Sequence, residues 1–321
     1  MLLLGLLPAA SAQTEEPMSA RISEPAGIDF TLDGTLTLPN GTKGPVPVVL
    51  LIAGSGPTDR DGNSPVPLGT LGTVKGAPFR MLADSLARLG IAVARYDKRY
   101  AGAKQLAGSA RLPIRDFRFD YYVSDALGFI RQLQADRRFS RVIVAGHSEG
   151  SLVGMLAAKR AGVPAYISLS GAGRSIAEVL KTQYGGLPEA QRQRVWADLD
   201  SLRAGLPVRQ PEPVAMAVLQ PSTQPLMMSW MRYDPAAELR GFRGKVLLVN
   251  GERDMQVGVD EAKALKAARP DALLLLFPGM THMLKNVDGT DQLANLQTYV
   301  RPDLPLTPGL ATAMARFINA R

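Results

Sequence analysis

The residues that could do chemistry here are one serine, one of two histidines and a short set of acids. Ser148 stands in Gly146-His147-Ser148-Glu149-Gly150, a G-x-S-x-G pattern. The apolar run Val142-Ile143-Val144 precedes it and reads as a buried strand, while Leu152, Val153, Met155 and Leu156 follow at helical spacing. Such a pattern carries weight only between a strand and a helix, where a sharp turn exposes the serine hydroxyl. A nucleophilic serine then needs a base, and the base needs an acid to orient it. His147 adjoins Ser148 on the turn and points elsewhere, so it reads as structural. His282, in Gly279-Met-Thr-His-Met after an apolar run, is left as the base. For the acid, Val246-Leu-Leu-Val-Asn-Gly-Glu-Arg-Asp offers Asp254 just past a strand. Glu252 and Asp260 compete with it. Glu252 sits too close to the strand end, and Asp260 is expected to cap the next helix.

Acyl chemistry also needs two backbone N–H groups aimed at one point, where the carbonyl oxygen gathers charge. Glu149, next after the serine, supplies one candidate. Gly54-Ser55-Gly56-Pro57, after an apolar run at Val46 to Ala53, supplies the other, with the Ser55 N–H preferred. The neighbouring Asp59-Arg60-Asp61-Gly62-Asn63 resembles the start of a calcium loop. Ser64 replaces the expected glycine and Thr70 the expected glutamate, so the ligand set fails and a buttressing polar loop is expected. No metal and no organic cofactor is called for.

These residues must be positioned by alternating elements. Buried strands are expected at Val46 to Ala53, Ile91 to Tyr96, Val142 to Ala145, Ala165 to Leu169, Lys245 to Asn250 and Ala272 to Phe277. Helices are expected at Phe79 to Leu89, Phe117 to Leu133, Leu152 to Arg160 and Leu310 to Ile318. Residues 13–45 read as a linker and then a hairpin turning at Asp33-Gly34. Strands alternating with helices imply a mostly parallel sheet covered on both faces, with the loops at the carboxyl ends of its strands gathered on one edge. From 174 to 244 no strand pattern occurs. This segment is expected to be a helical cap inserted between two sheet strands, dividing the core into 13–173 and 245–321. Trp196, Trp230, Met227 and Met231 are its candidate substrate-binding residues.

Composition narrows the field. The 321 residues suit one large α/β unit, and the lack of cysteine excludes disulfides, thiolate metal sites and a cysteine nucleophile. The net charge of +8 comes from basic residues interspersed with acids, without an aromatic–basic platform, so no nucleic-acid partner is expected. MLLLGLLPAA followed by Ser11-Ala12 reads as a signal peptide at 1–12, cleaved after Ala12, which implies a secreted or periplasmic protein. That run is too short to span a bilayer, and no stable membrane insertion is expected. Oligomeric state is left open.

With these residues in place, the chain resembles the α/β-hydrolase superfamily, whose members run in the order Ser148, Asp254, His282. More narrowly it resembles bacterial serine esterases with a GSGPxDRDGN oxyanion loop, here Gly54 to Asn63. Also similar are Arg95-Tyr-Asp-Lys-Arg99, the elbow itself, Gly171-Ala-Gly-Arg174 and Gly251-Glu-Arg-Asp-Met-Gln-Val257. Tyr100 departs from this pattern where glycine is usual, and Ser151 where a second glycine often follows the elbow; both are expected at the pocket rim. The resemblance implies an α/β-hydrolase fold and hydrolysis of small-molecule carboxylic esters through an acyl-enzyme. The same residues would serve a peptidase or amidase, a lactonase, a thioesterase or an acyltransferase, and a non-catalytic binding protein on the fold is a further alternative.

Overall fold

The structure is a computed structural model that describes residues 13–23, 29–101 and 114–320. The proposed signal peptide at 1–12 lies outside the described residues. Ten strands are described: β1 (Thr14–Ser23), β2 (Asp29–Leu38), β3 (Val46–Ile52), β4 (Ser64–Pro67), β5 (Thr73–Val74), β6 (Ala92–Tyr96), β7 (Phe139–His147), β8 (Ala165–Leu169), β9 (Lys245–Gly251) and β10 (Leu273–Phe277). Eight of them form one sheet in the order β1-β2-β6-β3-β7-β8-β9-β10, and β4 with β5 form a small second sheet. From β6 to β10 every pairing is parallel, while β1 with β2 and β2 with β6 are antiparallel.

Burial explains why the central strands read as unbroken apolar runs. In β3, Val48, Leu50 and Ile52 face a core that includes Phe129 of the helix Phe119–Ala135 and Leu152 and Leu156 of the helix Glu149–Ala161. Val49 and Leu51 face the opposite core, with Leu82 and Leu86 of the helix Pro78–Arg88 and Met314 and Ile318 of the helix Leu310–Asn319. Each strand residue therefore meets protein on whichever face it points to, and alternation disappears from the sequence. The helix Pro78–Arg88 keeps its alternation in helical form, burying Phe79, Leu82, Ala83, Leu86 and Ala87.

The amino-terminal region differs from the linker and hairpin expected there. Residues 14–23 are a ten-residue edge strand, and β2 runs straight through Asp33-Gly34 without turning. Gly34 pairs with Met18 on one side and Tyr96 on the other. A Cβ there would lie 2.6 Å from the Arg95 carbonyl oxygen and 2.9 Å from Met18 Cγ. The glycine answers a close approach inside a sheet, which an Asp-Gly pair mimics as a turn signal. Asp260 is also differently placed: Gly258 caps the helix Val259–Ala268, and Asp260 lies within its exposed first turn, 3.3 Å from Lys263.

Between β8 and β9 the described residues are helices without a strand, among them Ile176–Gln183, Glu189–Arg203, Gln224–Trp230 and Pro235–Arg240. They bury a cluster of their own, including Leu180, Val195, Leu199, Leu219, Met227 and Met231. Ser229 fastens the cluster to the sheet layer: its hydroxyl accepts the Phe119 N–H at 2.8 Å, and Trp230 stacks on the Phe119 ring at 5.3 Å.

Candidate active site

Ser148 occupies the one-residue turn between β7 and the helix Glu149–Ala161, with φ 54° and ψ −121°. A positive φ at a residue bearing a Cβ is strained, at a cost of order 1–3 kcal/mol. Its flanks allow no bulk. A Cβ on Gly146 would fall 2.0 Å from the Gly150 carbonyl oxygen, and one on Gly150 would fall 2.4 Å from that of Ile52. The Ser148 N–H donates to the Leu169 carbonyl at 3.0 Å, which locks the turn onto β8.

Asp254 lies in the turn after β9, and His282 in the loop after β10, at the same edge of the sheet. His282 Nδ1 is 2.8 Å from Asp254 Oδ2. A carboxylate can only accept, so Nδ1 carries the hydrogen, an arrangement that leaves the lone pair on Nε2 whenever the imidazole is neutral. The second carboxylate oxygen accepts the Gln256 and Val257 N–H groups at 2.9 and 2.8 Å. Burial works to raise the Asp254 carboxyl. The charge and hydrogen bond of His282, with the Val257 N–H and the Ser170 hydroxyl, outweigh it and hold the group below the usual carboxylate range.

His147 is buried beneath the site. Its ring lies 4.6 Å from the His282 ring, and Nε2 donates to the His282 carbonyl at 2.8 Å. Burial pushes its pKa down to about 3, and the neighbouring His282 adds to the drop against the opposing carbonyl bond. The neutral ring makes that bond as the tautomer with its hydrogen on Nε2. His147 thus braces the loop that carries His282.

Ser148, Glu149, Ser55 and His282 all line one cavity of about 990 Å³. Gly54 abuts the turn that bears Ser148, since a Cβ there would lie 3.1 Å from Ser148 Cβ. The polar loop behind it holds itself together. Asp59 accepts the Asp61 and Asn63 N–H groups at 2.9 and 2.8 Å, and Asp97 accepts the Arg60 backbone N–H at 2.8 Å and its guanidinium at 2.5 Å. Arg95 adds ion pairs to Asp61 and Glu15. Among the described residues no cluster of His, Asp or Glu has the makings of a metal site.

The helices between β8 and β9 close the other wall with Val179, Leu180, Val218, Leu226, Met227 and Trp230. Two expected lining residues lie elsewhere. Met231 is buried inside the helical cluster, because it faces that layer's own core. Trp196 is 37% exposed on the helix Glu189–Arg203, donating to the Lys181 carbonyl beneath the Arg192 guanidinium. The two departures from the esterase pattern also separate. Tyr100 does reach the cavity, at a left-handed φ of 69° that glycine would adopt freely, its ring edge-on to Phe117. Ser151 sits away from the rim, in a buried hydroxyl cluster 2.7 Å from Tyr166 and 2.9 Å from Ser168. Residue types alone do not point to Lys98, Tyr122 or Gln256, which the structure adds to the surroundings of the site; the Asp-Lys-Arg run marks the first of them and the run Gly251 to Val257 the last.

A sequence model of the Alpha/beta hydrolase family matches residues 49–296. Among curated proteins, the esterase EstD of Thermotoga maritima is 27% identical over 261 residues, covering 80% of this chain and 59% of its own. The chain therefore spans about three-fifths of that relative's length. Among solved structures, an esterase of Pyrococcus furiosus superposes with a TM-score of 0.53 at 14% identity, covering 94% of this chain and 90% of that one. Est1E from Butyrivibrio proteoclasticus superposes with a TM-score of 0.50 at 19% identity, covering 89% and 96%. At these identities the structural likeness speaks to the fold.

Proposed function

The chain belongs to the alpha/beta hydrolase family, and from that membership we propose that it is a serine hydrolase that cleaves small carboxylic esters. One observation carries the reading. Ser148 on its strained turn and His282 open on the same cavity, and the other nitrogen of that imidazole is held by Asp254 at 2.8 Å.

In this reading His282 Nε2 takes the Ser148 proton as Oγ attacks the ester carbonyl carbon. The carbonyl π pair moves onto oxygen, where the Ser55 and Glu149 N–H groups receive it. The oxyanion collapses, the carbon–alkoxy bond breaks, and the leaving alcohol takes the proton from His282. Water then repeats the sequence on the acyl-enzyme: His282 removes its proton, the acid is released, and Ser148 Oγ regains a hydrogen. Asp254 stays ionised and steadies the imidazolium. Each oxyanion donor is worth about 3–4 kcal/mol. The helices from 174 to 244 serve as a cap whose apolar wall holds an acyl or aromatic group. The narrower likeness to esterases with the GSGPxDRDGN loop, and the 27% identity to EstD, support the choice of esters.

Export is part of the same proposal. Cleavage after Ala12 would leave intact β1, which begins at Thr14. A fluorophosphonate tests the nucleophile directly. It is expected to modify Ser148, located by peptide mass spectrometry, and to leave the Ser148→Ala protein unmodified. Modification of any other serine with Ser148 untouched would refute the assignment.

A further inference from the structure

Lys98 is a buried cation that the mechanism above leaves without a task. It follows the end of β6, and its side chain is 2% exposed. Its ammonium has two oxygen partners. It donates to the Gly54 carbonyl at 2.7 Å and to Glu149 Oε1 at 2.5 Å. The Tyr122 ring takes its remaining face, with the centroid 4.0 Å away. The Glu149 carboxylate is 3% exposed, so the pair is shielded from solvent and salt.

The two partners are not arbitrary. The Gly54 carbonyl and the Ser55 N–H belong to one planar trans peptide unit and point in opposite directions. Fixing that oxygen fixes the heading of that N–H. An ammonium on the oxygen also polarises the amide, which makes its N–H a stronger donor in a site of low dielectric. Glu149 is the first residue of its helix, where a backbone N–H has no partner within the helix. Holding its side chain holds the residue whose N–H the mechanism above assigns as the second oxyanion donor. The Lys98 backbone adds a third tie, its N–H donating to the Thr58 carbonyl at 3.2 Å, while the Thr58 hydroxyl donates to that of Ser55 at 3.0 Å.

We propose that Lys98 is a positioning residue that sets both oxyanion donors at once, through the peptide carrying the Ser55 N–H and through the Glu149 side chain. The inference rests on the ester-hydrolase reading and deepens it. One cation ties the loop after β3 to the turn after β7, joining Gly54 to Glu149, 95 residues apart in the chain. The geometry of the oxyanion site therefore does not depend on a bound substrate.

Lys98→Met alone strands a buried carboxylate and risks unfolding, so the informative comparison is between Glu149→Gln and Lys98→Met/Glu149→Gln. Glu149→Gln removes the counter-charge but leaves an amide oxygen that can accept from the ammonium, which is expected to keep its bond to Gly54, and the double variant removes that bond without leaving a charge unpaired. The measurements are kcat and KM on a p-nitrophenyl ester, inhibition by an alkyl trifluoromethyl ketone, and melting temperature. Such a ketone adds to the nucleophile and places an oxyanion where the transition state has one. Relative to Glu149→Gln, the double variant is expected to lose about 10²-fold in kcat with KM little changed, and to bind the ketone more weakly by the same factor. Equal kcat and ketone inhibition in the two variants would overturn the role of Lys98, as would a loss confined to KM and melting temperature. Wild-type protein without Ser148-dependent ester turnover would instead overturn the ester reading, and the role of Lys98 with it.

Discussion

Asp254 and His147 both serve His282, in opposite electrical states. Asp254 is buried yet ionised, because His282, two backbone N–H groups and the Ser170 hydroxyl favour its charge. Asp254→Asn would keep the volume but let the imidazole take the wrong tautomer. We expect kcat to fall about 10⁴-fold with little change in melting temperature, measured on any good ester substrate. His147 is buried neutral, with its pKa lowered from 6.5 to about 3. Between those values the unfolded chain binds a proton that the folded chain refuses, so stability rises with pH there and drops as acid is added. The slope approaches about 1.4 kcal/mol per pH unit for one such group. In urea titrations from pH 7 to pH 4, His147→Gln is expected to flatten that slope; an unchanged slope would show that His147 is protonated in the fold. The candidate roles can be read at this scale because chemistry restricts them: with two histidines in the chain, one adjoining the serine, the proposed base follows by elimination. Lys98 was not legible, since a buried cation between two loops looks like any surface lysine until the fold brings Gly54 and Glu149 to it.

The elements that were easiest to read are those buried on both faces or amphipathic. β3, β7, β8 and β9 appear as apolar runs, and the helix Pro78–Arg88 appears as a spaced apolar stripe. β1 was hidden because an edge strand of mixed polarity, interrupted by Pro17, has neither signature. Gly34 misled for a physical reason, since close strand approach and tight turning both select glycine. Gly34→Ala should therefore lower stability by about 1–3 kcal/mol, read by urea denaturation, where a turn glycine with left-handed φ would show a strain penalty only. A buried ion pair joins the end of β6 to the helix Phe119–Ala135. Arg99 and Asp125 are 2.5 Å apart with side chains 1% and 0% exposed. Removing one partner leaves the other charge buried, so Asp125→Ala is expected to cost about 3–5 kcal/mol. A loss below about 1 kcal/mol would mean that water reaches the pair.

At the scale of the whole molecule, a sheet edge and a helical layer enclose one cavity between them. The edge carries Ser148, Asp254 and His282, and the layer from 174 to 244 supplies much of the apolar wall. The sequence marked that layer by its missing strands but could not say which of its large residues face inward. Met227 and Trp230 do, while Met231 and Trp196 follow the same composition and face elsewhere. Helical phase relative to a neighbouring layer decides this, and no local pattern encodes it. Trp230→Ala should enlarge the cavity and move the optimum toward longer acyl chains. The measurement that bears most directly on the central reading is turnover of p-nitrophenyl esters of increasing acyl length by the mature protein, with Ser148→Ala alongside. Turnover with a chain-length optimum, reduced at least about 10³-fold in Ser148→Ala, is the predicted result. Ester turnover that Ser148→Ala leaves at the wild-type level would contradict it.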